Sequence, residues 1–359
     1  MAVLDRVLRT PERGPETPRR ARAASLAVLG PVGIVVLVLS IAASTAIGAA
    51  DLGPRDVLSV VLERLGGPET GLSTLRERII LDLRLPRAVL AAACGAGLAL
   101  CGVVLQSLLR NPLADPFVLG VSSGASTGAV LVVVVGIGAG TIGLATGAFL
   151  GALVAFSLVL LLGLLTGGTT DRMILAGVAS TQLFAALTSF IVFTLADAEQ
   201  TRGVLFWLLG SLGAATWNEV LVCGLVVLVG TALCWASAGT LDAFMFGQDA
   251  AASLGVPVQR VRIVLLVTTA LVTAVIVSVS GAIGFVGLVL PHVARALVGV
   301  GHRLVVPTAA LLGAIFLVWV EVASRTVIAP QELPIGVATA LVGVPAFVVV
   351  LVRSRRRTS

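Results

Sequence analysis

The chain has 359 residues, 58% of them hydrophobic and only 12% charged, with a mean hydropathy of +1.10. Soluble domains carry about 25% charged residues, so a water-soluble particle is excluded and an α-helical membrane protein is predicted; the long continuous apolar runs speak against a β-barrel, whose short segments alternate in polarity. All 24 basic residues are arginine, which removes the lysine of a phosphate-binding loop and any Schiff-base chemistry, and the net charge of +6 is read as arginine at termini and loop ends, not as a nucleic-acid surface.

Residues 1–25 are polar and rich in Pro and Arg, and are expected to form a cytoplasmic tail without a core of its own. The run from Leu26 to Ala50 is longer than the roughly 7–15 residues of a signal-peptide core, so it is read as the first transmembrane helix. Apolar segments are predicted at 26–48, 88–108, 113–136, 142–166, 172–196, 216–237, 261–281, 284–300, 304–328 and 334–352. These make an all-α polytopic membrane protein of about ten transmembrane helices over 26–352, each near the ~20 residues needed to cross the hydrocarbon. The eighth is short for a simple span. A basic tail, 353–359, closes the chain.

Arginine placement sets the expected orientation. Arg110, Arg172, Arg260, Arg262, Arg295 and Arg303 fall in short loops that would face inward; only Arg202 and Arg325 fall in short loops facing outward. Both termini are therefore expected inside. The 49–87 connection breaks the bias with six arginines, but it also holds six acids and is long, and long loops translocate with less regard to charge.

Glycines predict close helix packing: Gly95, Gly97 and Gly102 in the second segment, and Gly120, Gly124 and Gly128 on one face of the third. Cys94, Cys101, Cys223 and Cys234 lie in apolar runs without a CxxC and are read as packing residues. No metal or catalytic pattern is visible. His292 and His302 sit at segment ends, where a packing or interfacial role is expected. Glu321 is four residues before Arg325, a spacing that pairs the two on one helix face. Asp115 falls in a turn. The interior is nearly free of charge, which argues against an ion-driven carrier, in which Glu321 would have to be essential.

Two polar stretches stand out. In Arg84-Leu85-Pro86-Arg87, Pro86 suits a helix's first turn, and the two arginines are expected to point outward, offering an acidic partner a cationic rim with Arg325; ordinary interfacial anchoring is the alternative. In the inward-facing 242–262 stretch, Gln248–Leu254 can form a short helix ended by Gly255 and Pro257. It reads as a docking element for another protein or as a plain interfacial helix.

Four passages together resemble the permease family of ABC importers for iron-siderophores, haem and vitamin B12, over about residues 30–352. They are Arg84–Arg87 followed by Gln106; Arg110–Pro116 with Leu119–Ala125; Gly247–Gly255; and Gly284–His292 with Glu332–Gly336. The resemblance implies the type II ABC importer permease architecture and alternating access without chemistry or cofactor on this chain. It implies a second permease subunit (a like copy or a paralogue), two cytosolic ABC ATPases, and an extracytoplasmic binding protein delivering a ferric siderophore, with vitamin B12 or haem as alternative cargo. By position it assigns Arg84, Arg87 and Arg325 to docking of the binding protein. Phe246, Gly247, Gln248, Ala251, Leu254, Gly255 and Val256 fall to ATPase coupling, and Asn111, Leu113, Thr170 and Asp171 to the cytoplasmic gate. Asp171 departs from the small neutral residue expected there.

Overall fold

The computed structural model describes residues 19–355 except 49–51, 65, 69–70, 139–142 and 256, and its regular elements are all helical. The predicted tails fall outside the described residues up to 18 and from 356. Helix α1 is Arg19–Ala46 and α2 Pro54–Arg64. Helix α3, Thr74–Leu108, begins well before the predicted 88. There follow α4 Val121–Val133, α5 Leu144–Leu165, α6 Thr170–Leu195, α7 Ala198–Leu208 and α8 Trp217–Ala236. The short α9 Ala238–Phe244 and α10 Gln248–Ser253 precede α11 Val258–Ser280, α12 Val286–Val298, α13 His302–Thr326 and α14 Ile335–Arg355.

Among the described residues, six helices are long and apolar enough to cross a membrane (α3, α5, α6, α8, α11 and α13), and four shorter apolar stretches lie in α1, α4, α12 and α14. Each of the ten predicted apolar segments overlaps one of them. Sequence periodicity did not resolve α2 and α7. The second is opened by a capping box in which the Asp197 carboxylate accepts from the Gln200 N–H at 2.8 Å.

Helix α3 is the hub of the bundle, buried along most of the stretch from Pro86 to Leu108. Lipid tails are as apolar as leucine, so close packing, not apolar burial, holds such helices together. The glycines of α3 each serve a different neighbour. Gly95 and Gly313 of α13 lie against each other's carbonyls, Gly97 faces Val227 of α8 and Ile276 of α11, and Gly102 abuts the Gly287 carbonyl of α12. Gly124 and Gly128 of α4 mesh with Gly151 and Gly147 of α5, while Gly120 adopts a left-handed φ of +72° and faces Ser180 of α6. The cysteines are buried and free, with Cys94 Sγ 4.0 Å from Cys223 Sγ.

Helices α4 and α12 have 13 residues each, about 20 Å of helix where the hydrocarbon is about 30 Å thick. The third segment thus opens as a 3-10 turn, Pro116–Leu119, capped when Asp115 Oδ1 accepts from the Phe117 N–H at 3.0 Å. Likewise α12 starts level with Leu98–Gly102 of α3, after an unwound stretch from Gly281 (φ +68°) to Phe285 (φ +67°). That stretch, with α7 and α14, lines an apolar groove of about 680 Å³ that includes Ala282, Gly284, Phe285, Val337 and Leu341.

Candidate functional site

At one end of the bundle, five charged side chains from α3, α13 and the α13–α14 loop form a chain. A π-helical turn, Ile79–Arg84, interrupts α3, and the Leu85 N–H donates to the Ile80 carbonyl. The wider turn accommodates Pro86, which lacks an N–H and crowds the preceding turn. Pro86 thus stands in the first turn of the regular α-helical part, Leu85–Leu108, as expected, while the π-turn continues the helix upstream. Arg84 is turned inward: 8% exposed, it donates from Nη1 to the carbonyls of Thr45 (3.0 Å) and Ala46 (3.1 Å). Arg325 donates to Ile47 O at 2.8 Å and to the Ser44 carbonyl. Both guanidiniums thereby satisfy carbonyls that the end of α1 leaves without partners. Gly48, with φ +151°, leaves them room: a Cβ there would lie 2.6 Å from Arg84 Nη2.

Glu321 is wholly buried between two of the arginines. Its Oε1 is 2.5 Å from Arg87 Nε, and Arg325 Nε donates to Oε2 at 3.2 Å. Arg87 also donates from Nη1 and Nη2 to Glu332 Oε1 (2.8 Å) and Oε2 (2.7 Å), a bidentate bridge at the surface. The expected Glu321–Arg325 pair is present, with Arg87 as a third member. The outward projection expected of the arginines does not describe Arg84, which turns inward to carbonyls at the end of α1. Glu332 had been noticed only as part of a motif; its link to Arg87 spans 245 residues and leaves no local signal.

The other end carries the 242–262 stretch. Gly247 (φ +106°) opens α10, and Gly255 (φ +81°) follows its last turn. Phe246 (77% exposed), Leu254 (72%) and Met245 (41%) present an uncovered apolar patch, whereas Ala251 is buried. Val256 and the Gln248 side chain lie outside the described residues. His302 fastens this region to the bundle: its N–H donates to Asp242 Oδ1 (2.9 Å), Nδ1 faces the same oxygen (2.6 Å), and Nε2 lies 2.6 Å from Ser107 Oγ. Asn111 and Leu113 follow α3, the Asn111 Oδ1 accepting from the Leu113 N–H at 2.9 Å. Thr170 and Asp171 open α6 at the same end, where Arg262 of α11 donates to the Gly168 carbonyl at 2.5 Å.

A model of the FecCD transport family matches residues 36–353. The chain belongs to the FecCD transport family. This FecCD permease is 39% identical over 342 residues to the cobalamin import permease BtuC of Halobacterium salinarum, covering 94% of this chain and 90% of that one. It is 34% identical over 326 residues to the iron(3+)-hydroxamate import permease FhuB of Bacillus subtilis, covering 90% and 83%. A solved metal-chelate type ABC transporter in an inward-facing conformation superimposes with a TM-score of 0.79 at 30% identity, covering 90% of this chain and 98% of that one. The chain is thus a membrane-spanning transport permease of the ABC importer class with the type II permease fold, a class whose permeases work with ATPase and substrate-binding partners.

The surface bridge of the FecCD permease has a pH signature. The hydrogen bonds from Arg87 hold the Glu332 carboxyl below the usual carboxylate range. A lowered folded-state pKa contributes stability above the unfolded value, near 4.3, that is lost as pH falls through the folded one. Glu332→Gln is therefore expected to melt below the wild type at pH 7, and the gap is expected to close between pH 5 and pH 3. A gap independent of pH in thermal scans would contradict the pairing.

Proposed function

We propose that this chain imports a ferric siderophore across the cytoplasmic membrane, as one of two permease subunits flanking a shared path, with both termini inside. The observation that carries a transport path is the unwound 281–285 backbone beside the apolar groove of about 680 Å³. Non-helical backbone at membrane depth is tolerated only where protein buries it or where it lines a water-filled cavity. The groove supports the second reading, with α7, the 281–285 stretch and α14 forming one wall. Relatives in the family are named for cobalamin, hemin, iron(3+)-hydroxamate and iron(3+)-citrate import. A ferric chelate is the cargo common to the last two, with cobalamin or haem as the second reading.

In this proposal an acidic patch of the extracytoplasmic binding protein docks at Arg87, supported by Arg84 and Arg325. The exposed Phe246 and Leu254, with Gly247, Gln248, Ala251, Gly255 and Val256, meet a cytosolic ATPase that hydrolyses ATP. Asn111, Leu113, Thr170 and Asp171 close the inner end of the path. An ion-coupled carrier is disfavoured because Glu321 is already held between two arginines.

The test is ATPase activity of the permease co-purified with its nucleotide-binding subunit in lipid, with and without a loaded siderophore-binding protein. Stimulation at least several-fold is expected, and Arg87→Glu is expected to remove it while leaving the permease–ATPase complex intact. Stimulation by a cobalamin- or haem-loaded protein alone would reassign the cargo. Absence of any ATPase complex, with uptake on an ion gradient alone, would overturn the reading.

A further inference from the structure

A cavity of about 360 Å³ lies at the 242–262 end, walled by Gln106, Ser107, Arg110, His292, Arg295 and His302. Its charge is unbalanced. Arg295 is half-buried and donates to the Gln106 Oε1, and no carboxylate pairs with it among the described residues. Gln106 is itself fixed, its Nε2 donating to the carbonyls of Gly287 (3.2 Å) and Leu288 (3.3 Å), so the guanidinium is held in place. Arg110 makes no side-chain hydrogen bond or ion pair among the described residues, and its Nη1 sits beside Gly247. Asp242, which meets this wall at His302, is engaged by the N–H and Nδ1 of that histidine.

Arg295 is half-buried, where an arginine is costly unless an anion meets it; Arg110 is exposed and adopts φ +48°, a conformation that a glycine at this helix end would take with less strain. Two guanidiniums on one cavity match the oxygens of a phosphate, which arginine binds in bidentate fashion. The rim is apolar, with Met245 and Val300, and the cavity lies between helices at the end of the bundle, where basic pockets receive lipid headgroups. We propose that this cavity binds a phosphate-bearing anion, supplied as the headgroup of an anionic phospholipid.

The test uses the full-length permease, delipidated in detergent, and follows thermal unfolding on addition of phosphatidylglycerol, phosphatidylcholine or inorganic phosphate. Phosphatidylglycerol is expected to raise the midpoint by several degrees and phosphatidylcholine not to. Arg110→Gln is expected to weaken the phosphatidylglycerol response at least tenfold in apparent affinity while melting like the wild type in phosphatidylcholine. Arg295→Gln is expected to act in the same direction, and if it does not fold, Arg110→Gln decides alone. A shift reproduced in full by inorganic phosphate keeps the anion site and moves its source to the free ion. Equal responses to the two lipids with none to phosphate, or an undiminished phosphatidylglycerol response in Arg110→Gln, would overturn the proposal. Arg110→Gln impairing only association with the ATPase would overturn it too, in favour of a protein carboxylate.

Discussion

Glu321→Ala is expected to lower the unfolding free energy by about 3–5 kcal/mol, the cost of removing one partner from a buried ion pair. Glu321 is wholly buried, with Arg87 Nε at 2.5 Å and Arg325 Nε at 3.2 Å. Its loss leaves two largely buried guanidiniums without the carboxylate between them. The damage extends beyond the pair: Arg325 also caps α1, and Arg87 also holds Glu332. Glu321→Gln keeps an acceptor but not the charge, and is expected to cost less, about 1–3 kcal/mol. Reversible unfolding in mixed detergent micelles would measure both. A loss under 1 kcal/mol for Glu321→Ala would mean that the three side chains do not interact as described. A well-folded Glu321→Gln protein with abolished, gradient-driven uptake would instead make this carboxylate a proton carrier.

Gly102→Ala is the second large effect, expected to destabilise by about 3 kcal/mol, the upper end of the usual overpacking range, and to cut uptake at least tenfold. The Gly287 carbonyl and Cα occupy the place a methyl would take. Neither can rotate aside, so α12 must move as a unit away from α3. Its first turn follows the unwound 281–285 stretch and its Gly287 and Leu288 carbonyls bind Gln106, so the shift carries the groove wall with it. Gly224→Ala on α8 is the control: nothing lies within 4 Å of the added carbon, and a helix gains up to about 1 kcal/mol from alanine over glycine. A Gly102→Ala protein as stable and active as this control would show that α3 and α12 are farther apart than described.

What the sequence made legible was local. Apolar runs located every membrane-length helix, the four-residue spacing paired Glu321 with Arg325, and Gly247 and Gly255 bracketed α10. Long-range partners left no trace in it. Arg84 meets Thr45 across 39 residues and Gln106 meets Gly287 across 181, and no periodicity reports which helix faces meet. The short eighth segment foreshadowed α12, but the half-length α4 and the unwound start of α12 were hidden for a different reason. An apolar run looks the same whether it is coiled throughout or begins with unwound backbone, and Phe285 in a left-handed conformation is not a residue that advertises a break. The RLPR arginines share one end of the bundle with Arg325, but no neighbour of Arg84 was legible, because its carbonyl partners belong to a helix terminus 38–39 residues upstream.

The arginine caps on α1 also have a consequence for biogenesis. Ser44 leaves the ribosome 281 residues ahead of Arg325, on the order of half a minute at typical elongation rates. Arg84 can reach the end of α1 early, but Ser44 and Ile47 wait for α13. For most of that interval Arg87 has no Glu321 to neutralise it. The first helix to enter the bilayer is thus among the last to be locked, and a nascent chain stalled before α13 would expose an unpaired cation and a frayed helix end to the quality-control machinery that removes unfinished membrane proteins.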